Sequence, residues 1–171
     1  MGEVFAFISQ LYFRGKLTYA RAFARPPVDG DAASPGGDGV LVITPSRGLL
    51  PWQAPVTAEA LREFAAVEVR LSNPGYAGAL EAGARALAGR LRTDDEVVLL
   101  GSIASDKYAA VLAGVFAARL LFPREFVGRG DMSRGGLLLR SVRACRELDY
   151  VPLVGSTRHG TRPPRLDPAD R

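Results

Sequence analysis

The segment Glu96-Val97-Val98-Leu99-Leu100-Gly101-Ser102-Ile103-Ala104-Ser105-Asp106-Lys107-Tyr108 decides the fold that the sequence predicts. It begins with a short apolar run, which is typical of a strand buried on both faces of a parallel sheet. Ser102 or Ser105 then offers a side chain that caps the start of a helix extending to about Ala118. A buried strand followed at once by a helix is the repeating unit of an α/β fold.

Other apolar runs extend this pattern in both directions along the chain. Residues 4–8 and 40–44 predict two earlier buried strands, and residues 67–71 alternate apolar and charged side chains as an edge strand does. Because such runs alternate with helical segments, the sequence predicts a three-layer α/β sandwich with a mainly parallel sheet. We expect one α/β domain at residues 1–154 and an extended basic tail at residues 155–171.

Three features of the 171-residue composition exclude classes of protein. The single histidine, His159, cannot by itself supply a zinc site and lies far in sequence from any obvious nucleophile, so we predict no metal and no cofactor. The single cysteine, Cys145, rules out an internal disulfide and fits a cytoplasmic location. No apolar run reaches the roughly 18 residues of a membrane helix, so we predict no membrane partner.

The basic side chains are almost all arginine. The formal net charge is +4, and of the 22 basic residues only Lys16 and Lys107 are lysines. Arginine suits bidentate binding of phosphate, although a GC-rich genome produces the same bias. The charge therefore permits DNA, RNA or a nucleotide as a partner without requiring one. The basic tail at residues 158–165 either grips phosphates or is simply solvated.

The segment Gly128-Arg129-Gly130-Asp131-Met132-Ser133-Arg134-Gly135-Gly136 is the strongest indication of a binding site. Glycines let backbone N–H groups approach an anion, and a helix beginning after them points its positive end there. Arginines add charge-assisted hydrogen bonds. A Walker loop is excluded because no Lys-Ser or Lys-Thr follows the glycines. The structural alternative is a tight turn before a buried helix. The residues predicted to bind an anion here are Gly128, Arg129, Gly130, Ser133 and Arg134.

Asp131 decides between two hypotheses for this segment. If its carboxylate pairs with Arg129 or Arg134, the site is neutralised and binds anions poorly. If it caps the following helix, both guanidinium groups stay free for a phosphate. We also expect at least one of the glycines at positions 130, 135 and 136 to be conformationally required.

The carboxyl ends of the predicted strands gather further side chains into one cleft. Asp106 and Lys107 follow the strand at residues 96–100, and Arg47 follows the strand at residues 40–44. We therefore expect Lys107 and Arg47 at the same edge of the sheet. Lys107 either binds phosphate, acts as a base with a lowered pKa, or is solvated after a helix cap.

Aromatic residues accompany basic ones at two further places. Arg14 and Lys16 follow Tyr12 and Phe13, a combination that suits nucleic-acid or nucleotide contact, or simply begins an amphipathic helix. Trp52, the only tryptophan, either stacks a base or covers its own loop.

Residues 11–16 (Leu-Tyr-Phe-Arg-Gly-Lys) and residues 42–51 together resemble the peroxide-stress DNA-binding protein family. That family pairs a Phe-Arg-Gly-Lys stretch with a strand ending in a Ser-x-x-Gly-Leu-Leu-x-Pro turn. Residues 128–139 are similar to a glycine-rich segment of a related uncharacterised α/β family. The resemblance touches four short patches within residues 8–140. It implies an α/β fold and an association with nucleic acid, but not an activity.

Three functions stay open at the level of sequence. The first is a nucleic-acid- or nucleotide-associated protein that binds phosphate through the Gly/Arg-rich segment. The second is a small enzyme acting on a nucleotide or nucleobase, with Asp131 or Asp106 as general acid/base and Lys107 stabilising charge. The third is a non-catalytic assembly subunit that uses its apolar helices.

Overall fold

The computed structural model describes residues 1–26, 37–104 and 106–164. Ser105, the loop at residues 27–36 and the end of the tail at residues 165–171 lie outside the described residues. The described elements follow in the order α1 (Gly2–Ile8), α2 (Gln10–Phe23), β1 (Leu41–Thr44), β2 (Gly48–Pro51), α3 (Ala58–Ala66), α4 (Pro74–Ala88), β3 (Val97–Val98), α5 (Asp106–Phe116), β4 (Leu120–Pro123), α6 (Asp131–Arg143) and β5 (Tyr150–Pro152). Short 3-10 turns at Ala117–Arg119 and Arg124–Phe126 flank β4.

The predicted three-layer sandwich with a mainly parallel sheet is wrong. The described strands form two small sheets: an antiparallel hairpin of β1 and β2, and a sheet in which β4 pairs parallel to β3 and antiparallel to β5. Helices make up most of the regular structure around them. The fold is therefore mixed α and β, but its sheets are too short to form a central layer.

Helix α1 shows why the first predicted strand is wrong. Residues 4–8 are apolar in an unbroken run, and so short a run fits a strand and a buried helix equally well. The tertiary partners select the helix, because Phe5 packs edge-on against Phe13 at 5.7 Å and tilts against Phe64 at 6.2 Å. Residues 67–71 likewise form no strand.

The β1–β2 hairpin keeps Arg47 apart from Lys107, although the sequence predicts that both lie in one cleft. The Thr44 hydroxyl donates to the Gly48 carbonyl at 2.9 Å and accepts from the Arg47 backbone N–H at 3.1 Å. Gly48 has a φ of +63°, which lets the chain reverse. Arg47 therefore lies in a hairpin turn, while Lys107 lies at the start of α5, which follows β3 of a different sheet. The prediction that they share a sheet edge is wrong.

Two groups of buried side chains stabilise this arrangement. The larger core surrounds β4, whose four residues are all buried, and includes Tyr19, Leu80 and Leu138. A smaller core joins Met1 and Phe64 to the hairpin and α3. Helices α2 and α6 pack closely against each other, and this contact positions the side chains described next.

Candidate anion-binding site

The glycine-rich segment lies at the N-terminus of α6. Gly128 has a φ of +72°, and Gly130 is the extended N-cap residue, with a φ of −80°. The helix begins at Asp131, so Gly135 lies inside it rather than before it. Among residues 1–26, 37–104 and 106–164, no side chain caps this helix start. Its first backbone N–H groups and the positive end of its dipole are therefore available to an anion.

Arg134 is the central charge of the site. Its side chain is buried, with a residue exposure of 4%. Nη2 donates to the Phe126 carbonyl at 3.2 Å, and the guanidinium lies 5.3 Å from the centre of the Phe126 ring. Nε is buried and has no hydrogen-bond partner among the described residues. A buried guanidinium with an unmade hydrogen bond favours an anionic ligand.

Asp131 neutralises Arg134 only weakly. The closest approach is 3.7 Å between Arg134 Nη1 and Asp131 Oδ1, and 65% of the Asp131 side chain is exposed. The carboxylate does not cap α6 either, since the N-cap is Gly130. The geometry therefore agrees with the first hypothesis, in which Asp131 pairs with an arginine, although the ion pair is long and exposed. Glu125 in turn acts electrostatically on Arg129.

Arg129 adds a second, half-buried guanidinium. Nη1 donates to the Ser133 hydroxyl at 3.2 Å, and Nε is buried without a partner in the described part of the chain. Burial lowers the pKa of Arg129, while Glu125 opposes that change. The side chain stays cationic because an arginine pKa begins above 12.

The C-terminal segment closes one side of a pocket of about 220 Å³. The pocket is lined by Ala104, Gly128–Gly130, Arg134 and residues 158–160. A Cβ atom on Gly128 would overlap the carbonyl oxygen of Thr161, so only glycine lets the two segments approach this closely. Arg158 is held by Asp106 at 2.6 Å. The tail residues at 158–161 thus pack over the site.

Lys16 and two tyrosines lie beside Arg134. Lys16 Nζ sits 4.0 Å from the centre of the Tyr12 ring, one turn earlier on α2. Burial lowers the pKa of Lys16 to about 8; Asp131 opposes that change, and Arg134 adds to it. The Tyr12 hydroxyl donates to the Leu100 carbonyl at 3.2 Å, and burial raises the pKa of Tyr12 to about 12.

Tyr108 connects this cluster to the segment that ends at Ala104. Its hydroxyl accepts a hydrogen bond from the Ser102 backbone N–H, and burial raises its pKa. A Cβ atom on Gly101 would lie 2.6 Å from that hydroxyl. The tyrosine therefore fixes the chain that lines one wall of the pocket.

Several predicted site residues lie elsewhere. Arg47 is exposed and pairs with Glu63. Trp52 Nε1 donates to Asp38, and Arg21 lies 4.3 Å above the indole ring. These contacts occupy the indole N–H and one approach to the ring, and Trp52 does not line the pocket.

Of the remaining predicted site residues, some lie away from the pocket and others lie at it. Arg14 and Lys107 are exposed and do not line the pocket. Asp106 is also exposed and is occupied by Arg158. The structure brings together Gly128, Arg129, Gly130, Ser133 and Arg134, with Asp131 and Lys16 adjacent.

Sequence reasoning missed two residues of the cluster. Tyr12 is not among the predicted site residues, although its spacing of four from Lys16 places both on one face of a helix. Tyr108 carried no signal beyond its position after an apolar run. A larger hollow of about 320 Å³ lies between α4 and α5, but its charged residues Glu81 and Arg85 pair with each other at 2.6 Å.

The chain matches no family model, no curated protein and no solved structure. Among the described residues, no group of three or more histidine, cysteine or acidic side chains is placed to hold a metal ion. In the same part of the chain, none of the helices has the length and apolar character needed to cross a membrane.

Proposed function

We propose that the protein is a nucleotide- or nucleic-acid-associated protein that holds a phosphate group at the N-terminus of α6. One observation carries the proposal: within the described residues, the buried Arg134 guanidinium keeps an unpartnered Nε beside a helix start that no side chain caps. The guanidinium offers a planar set of N–H donors, and the helix start offers backbone N–H donors. Both kinds of donor suit a phosphate.

The surroundings of Arg134 support a phosphate rather than a carboxylate as the ligand. Arg129 has a second Nε without a partner in the described part of the chain, and Arg158 and His159 line the same pocket. A phosphate offers more acceptor oxygens and more negative charge than a carboxylate does. The volume of about 220 Å³ suits a phosphate group with part of a sugar more than an entire nucleotide. A nucleotide or a nucleic-acid end would therefore extend out of the pocket.

We also propose a cytoplasmic location, because the single Cys145 permits no internal disulfide.

Calorimetry with AMP and adenosine tests the proposal directly. We expect the wild-type protein to bind AMP and to bind adenosine at least about tenfold more weakly, since charge-assisted hydrogen bonds contribute roughly 1.5–3 kcal/mol each. The double variant Arg129→Ala, Arg134→Ala should lose this preference. Equal binding of AMP and adenosine to the wild-type protein would contradict the proposal.

A matched control variant separates the effect of the site on AMP binding from the effect of the overall positive charge. Arg62 and Arg124 are exposed and lie outside the pocket. The double variant Arg62→Ala, Arg124→Ala therefore removes the same charge without touching the site, and we expect it to bind AMP like the wild type. Oligonucleotides with and without a terminal phosphate, titrated at two salt concentrations, then distinguish end recognition from binding along the backbone.

A further inference from the structure

We propose that the phosphate pocket has a catalytic activity, in which His159 is the nucleophile that hydrolyses a phosphate monoester. The inference deepens the proposed function and rests on it, because the phosphate bound at Arg129 and Arg134 is the group that is transferred. It assigns a chemical task to the only imidazole of the chain, which phosphate binding alone does not require.

His159 is part of the wall of the pocket. It lines the same space of about 220 Å³ as Arg129, Arg134 and Arg158. The residue is exposed, and its imidazole makes no hydrogen bond or ion pair with any other described residue. A neutral imidazole has one ring nitrogen with a free lone pair, and histidine is among the side chains that form covalent intermediates in enzymes. No protein contact in the described chain therefore competes with a ligand for this ring.

The residues on both sides of His159 are anchored. The Arg158 guanidinium pairs with the Asp106 carboxylate at 2.6 Å, which ties the tail to the start of α5. On the other side, the Gly160 carbonyl oxygen lies 3.0 Å from the position that a Cβ atom on Gly128 would take. The backbone between these two anchors holds His159 at the pocket.

The other groups that line the pocket supply what phosphoryl transfer requires. In the transition state, negative charge spreads over the three equatorial oxygens of the phosphoryl group, so catalysis consists mainly of positioning and charge stabilisation. Arg134 is 4% exposed, and both it and Arg129 have a buried Nε without a partner in the described part of the chain. Buried donors that are fixed before the reaction stabilise such charge most strongly.

The reaction has two steps, with water as the second reactant and no oxidation or reduction. In the first step a lone pair of an imidazole nitrogen attacks phosphorus, a P–N bond forms, and the P–O bond to the ester group breaks. The leaving oxygen takes the electron pair of that bond and a proton, and the ring gives up one proton. In the second step water attacks phosphorus, the P–N bond breaks, inorganic phosphate leaves, and the ring regains its proton.

The shape of the pocket favours a monoester over an internal diester of a nucleic acid. The tail at residues 158–161 closes one side of the pocket, because Thr161 and Gly160 lie directly against Gly128. A monoester carries a single ester group, which can leave through the open side. A diester within a strand continues in two directions and needs a groove that is open at both ends. The substrate class is therefore a terminal phosphate, such as that of AMP.

Hydrolysis and trapping on the full chain test the inference. The probes are p-nitrophenyl phosphate and AMP, and the readouts are released nitrophenol and inorganic phosphate. Samples quenched rapidly in base are analysed by peptide mass spectrometry, because a phosphoryl group on histidine is stable in base and labile in acid. The chain has one histidine, so a phosphoryl group with this behaviour identifies His159. We expect both hydrolysis and the adduct in the wild-type protein.

Two variants of the tail define the nucleophile. His159→Asn keeps a polar side chain of similar size, and we expect it to lose the adduct and at least about 100-fold in kcat, the lower end of what a positioned reacting side chain contributes. Arg162→Ala is the matched control, because Arg162 is an exposed tail residue that does not line the pocket. We expect it to keep the wild-type kcat. Thermal melting checks that both variants fold.

The outcomes distinguish failure of this inference from failure of the proposed function. The calorimetric comparison of AMP with adenosine is repeated on His159→Asn, in which AMP is not consumed, and we expect the preference for AMP to remain. Preferential binding of AMP without hydrolysis, or hydrolysis that persists in His159→Asn, would overturn the inference alone. Hydrolysis that depends on His159 but gives no base-stable adduct would overturn its role as nucleophile. Absence of hydrolysis together with equal binding of AMP and adenosine would overturn both proposals.

Discussion

Gly15 of α2 and Gly135 of α6 face each other where the two helices cross. A Cβ atom on Gly15 would lie 2.8 Å from the Gly135 carbonyl oxygen, and one on Gly135 would lie 2.9 Å from the Leu11 carbonyl oxygen. Both obstacles are backbone atoms, which cannot rotate away. This close approach brings Lys16 next to the first turn of α6, so the glycine pair positions the candidate site.

Replacing Gly135 with alanine should therefore destabilise the protein. We expect a loss of about 2 kcal/mol in the free energy of unfolding, because overpacking a close contact costs typically 1–3 kcal/mol. Urea unfolding measures the change. Gly78 and Gly114 lie in helices and have open space where a Cβ would be. Alanine at either control position should instead stabilise by about 0.5–1 kcal/mol. Equal effects at all three positions would contradict the close crossing.

Gly128→Ala should open the C-terminal side of the pocket. Its φ of +72° and its closeness to Thr161 both exclude a side chain. Gly155 is the matched control, because it has a φ of +80° but no described residue has an atom within 4 Å of the position that a Cβ atom would take. We expect both variants to lose roughly 1 kcal/mol through backbone strain, and Gly128→Ala alone to weaken AMP binding. Proteolysis after Arg158 provides the readout for displacement of the tail, which should accelerate only in Gly128→Ala.

The stability of the protein should rise with pH between about 8 and 10 because of Lys16. Its pKa is about 8 in the folded chain and is close to 10.5 when unfolded, so in this window the unfolded chain binds one more proton than the folded chain. The charged amine therefore destabilises the fold below pH 8, and this penalty disappears as the pH rises.

Lys16→Met tests this dependence. We expect the substitution to raise the free energy of unfolding at pH 7 by about 1 kcal/mol or more, and to remove the rise between pH 8 and 10. Lys107→Met should change neither. Above pH 10 stability should fall in all three proteins, because the folded state holds the pKa values of Tyr12 and Tyr76 near 12. An unchanged pH profile in Lys16→Met would show that the amine is solvated in the folded protein.

Trp52→Phe should weaken the fold without affecting phosphate binding. The substitution removes the indole N–H that donates to Asp38, while a ring remains beneath Arg21. Loss of one hydrogen bond to a charged group costs about 1.5–3 kcal/mol. Thermal melting measures the loss, and calorimetry with AMP should give the wild-type affinity. A marked loss of AMP affinity in a folded Trp52→Phe protein would restore the hypothesis that Trp52 stacks a base.

The glycine-rich segment at residues 128–134 shows what a local pattern can and cannot predict. Glycines and arginines are interspersed over residues 128–134, and this pattern indicates an anion site lined by backbone N–H groups. The pattern can be recognised locally because the backbone freedom of a glycine and the charge of an arginine do not depend on distant residues. A helix does begin in this segment, but at Asp131, so that Gly135 lies inside α6 rather than before it. A pocket lies around Arg134. That this pocket binds phosphate stays a prediction.

The sheet could not be predicted in the same way. Residues 4–8 and 96–100 are both short apolar runs, yet one is a helix and the other contributes only the strand Val97–Val98. Local hydrophobicity does not distinguish the two conformations, and it does not guarantee burial either, since Phe7 of the first run is 88% exposed. Tertiary partners decide the conformation.

Sequence by itself determined the chemistry that is available: many arginines, two lysines, one histidine, and a glycine-rich segment that favours an anion. Tertiary structure alone decided which of these groups meet. Lys16 and Arg134 are 118 positions apart, and no local pattern relates them. They become neighbours because Gly15 and Gly135 let α2 and α6 approach backbone to backbone. Arg47 and Asp106 also form ion pairs that no local sequence pattern predicts. Their partners, Glu63 and Arg158, reach them only in the folded chain.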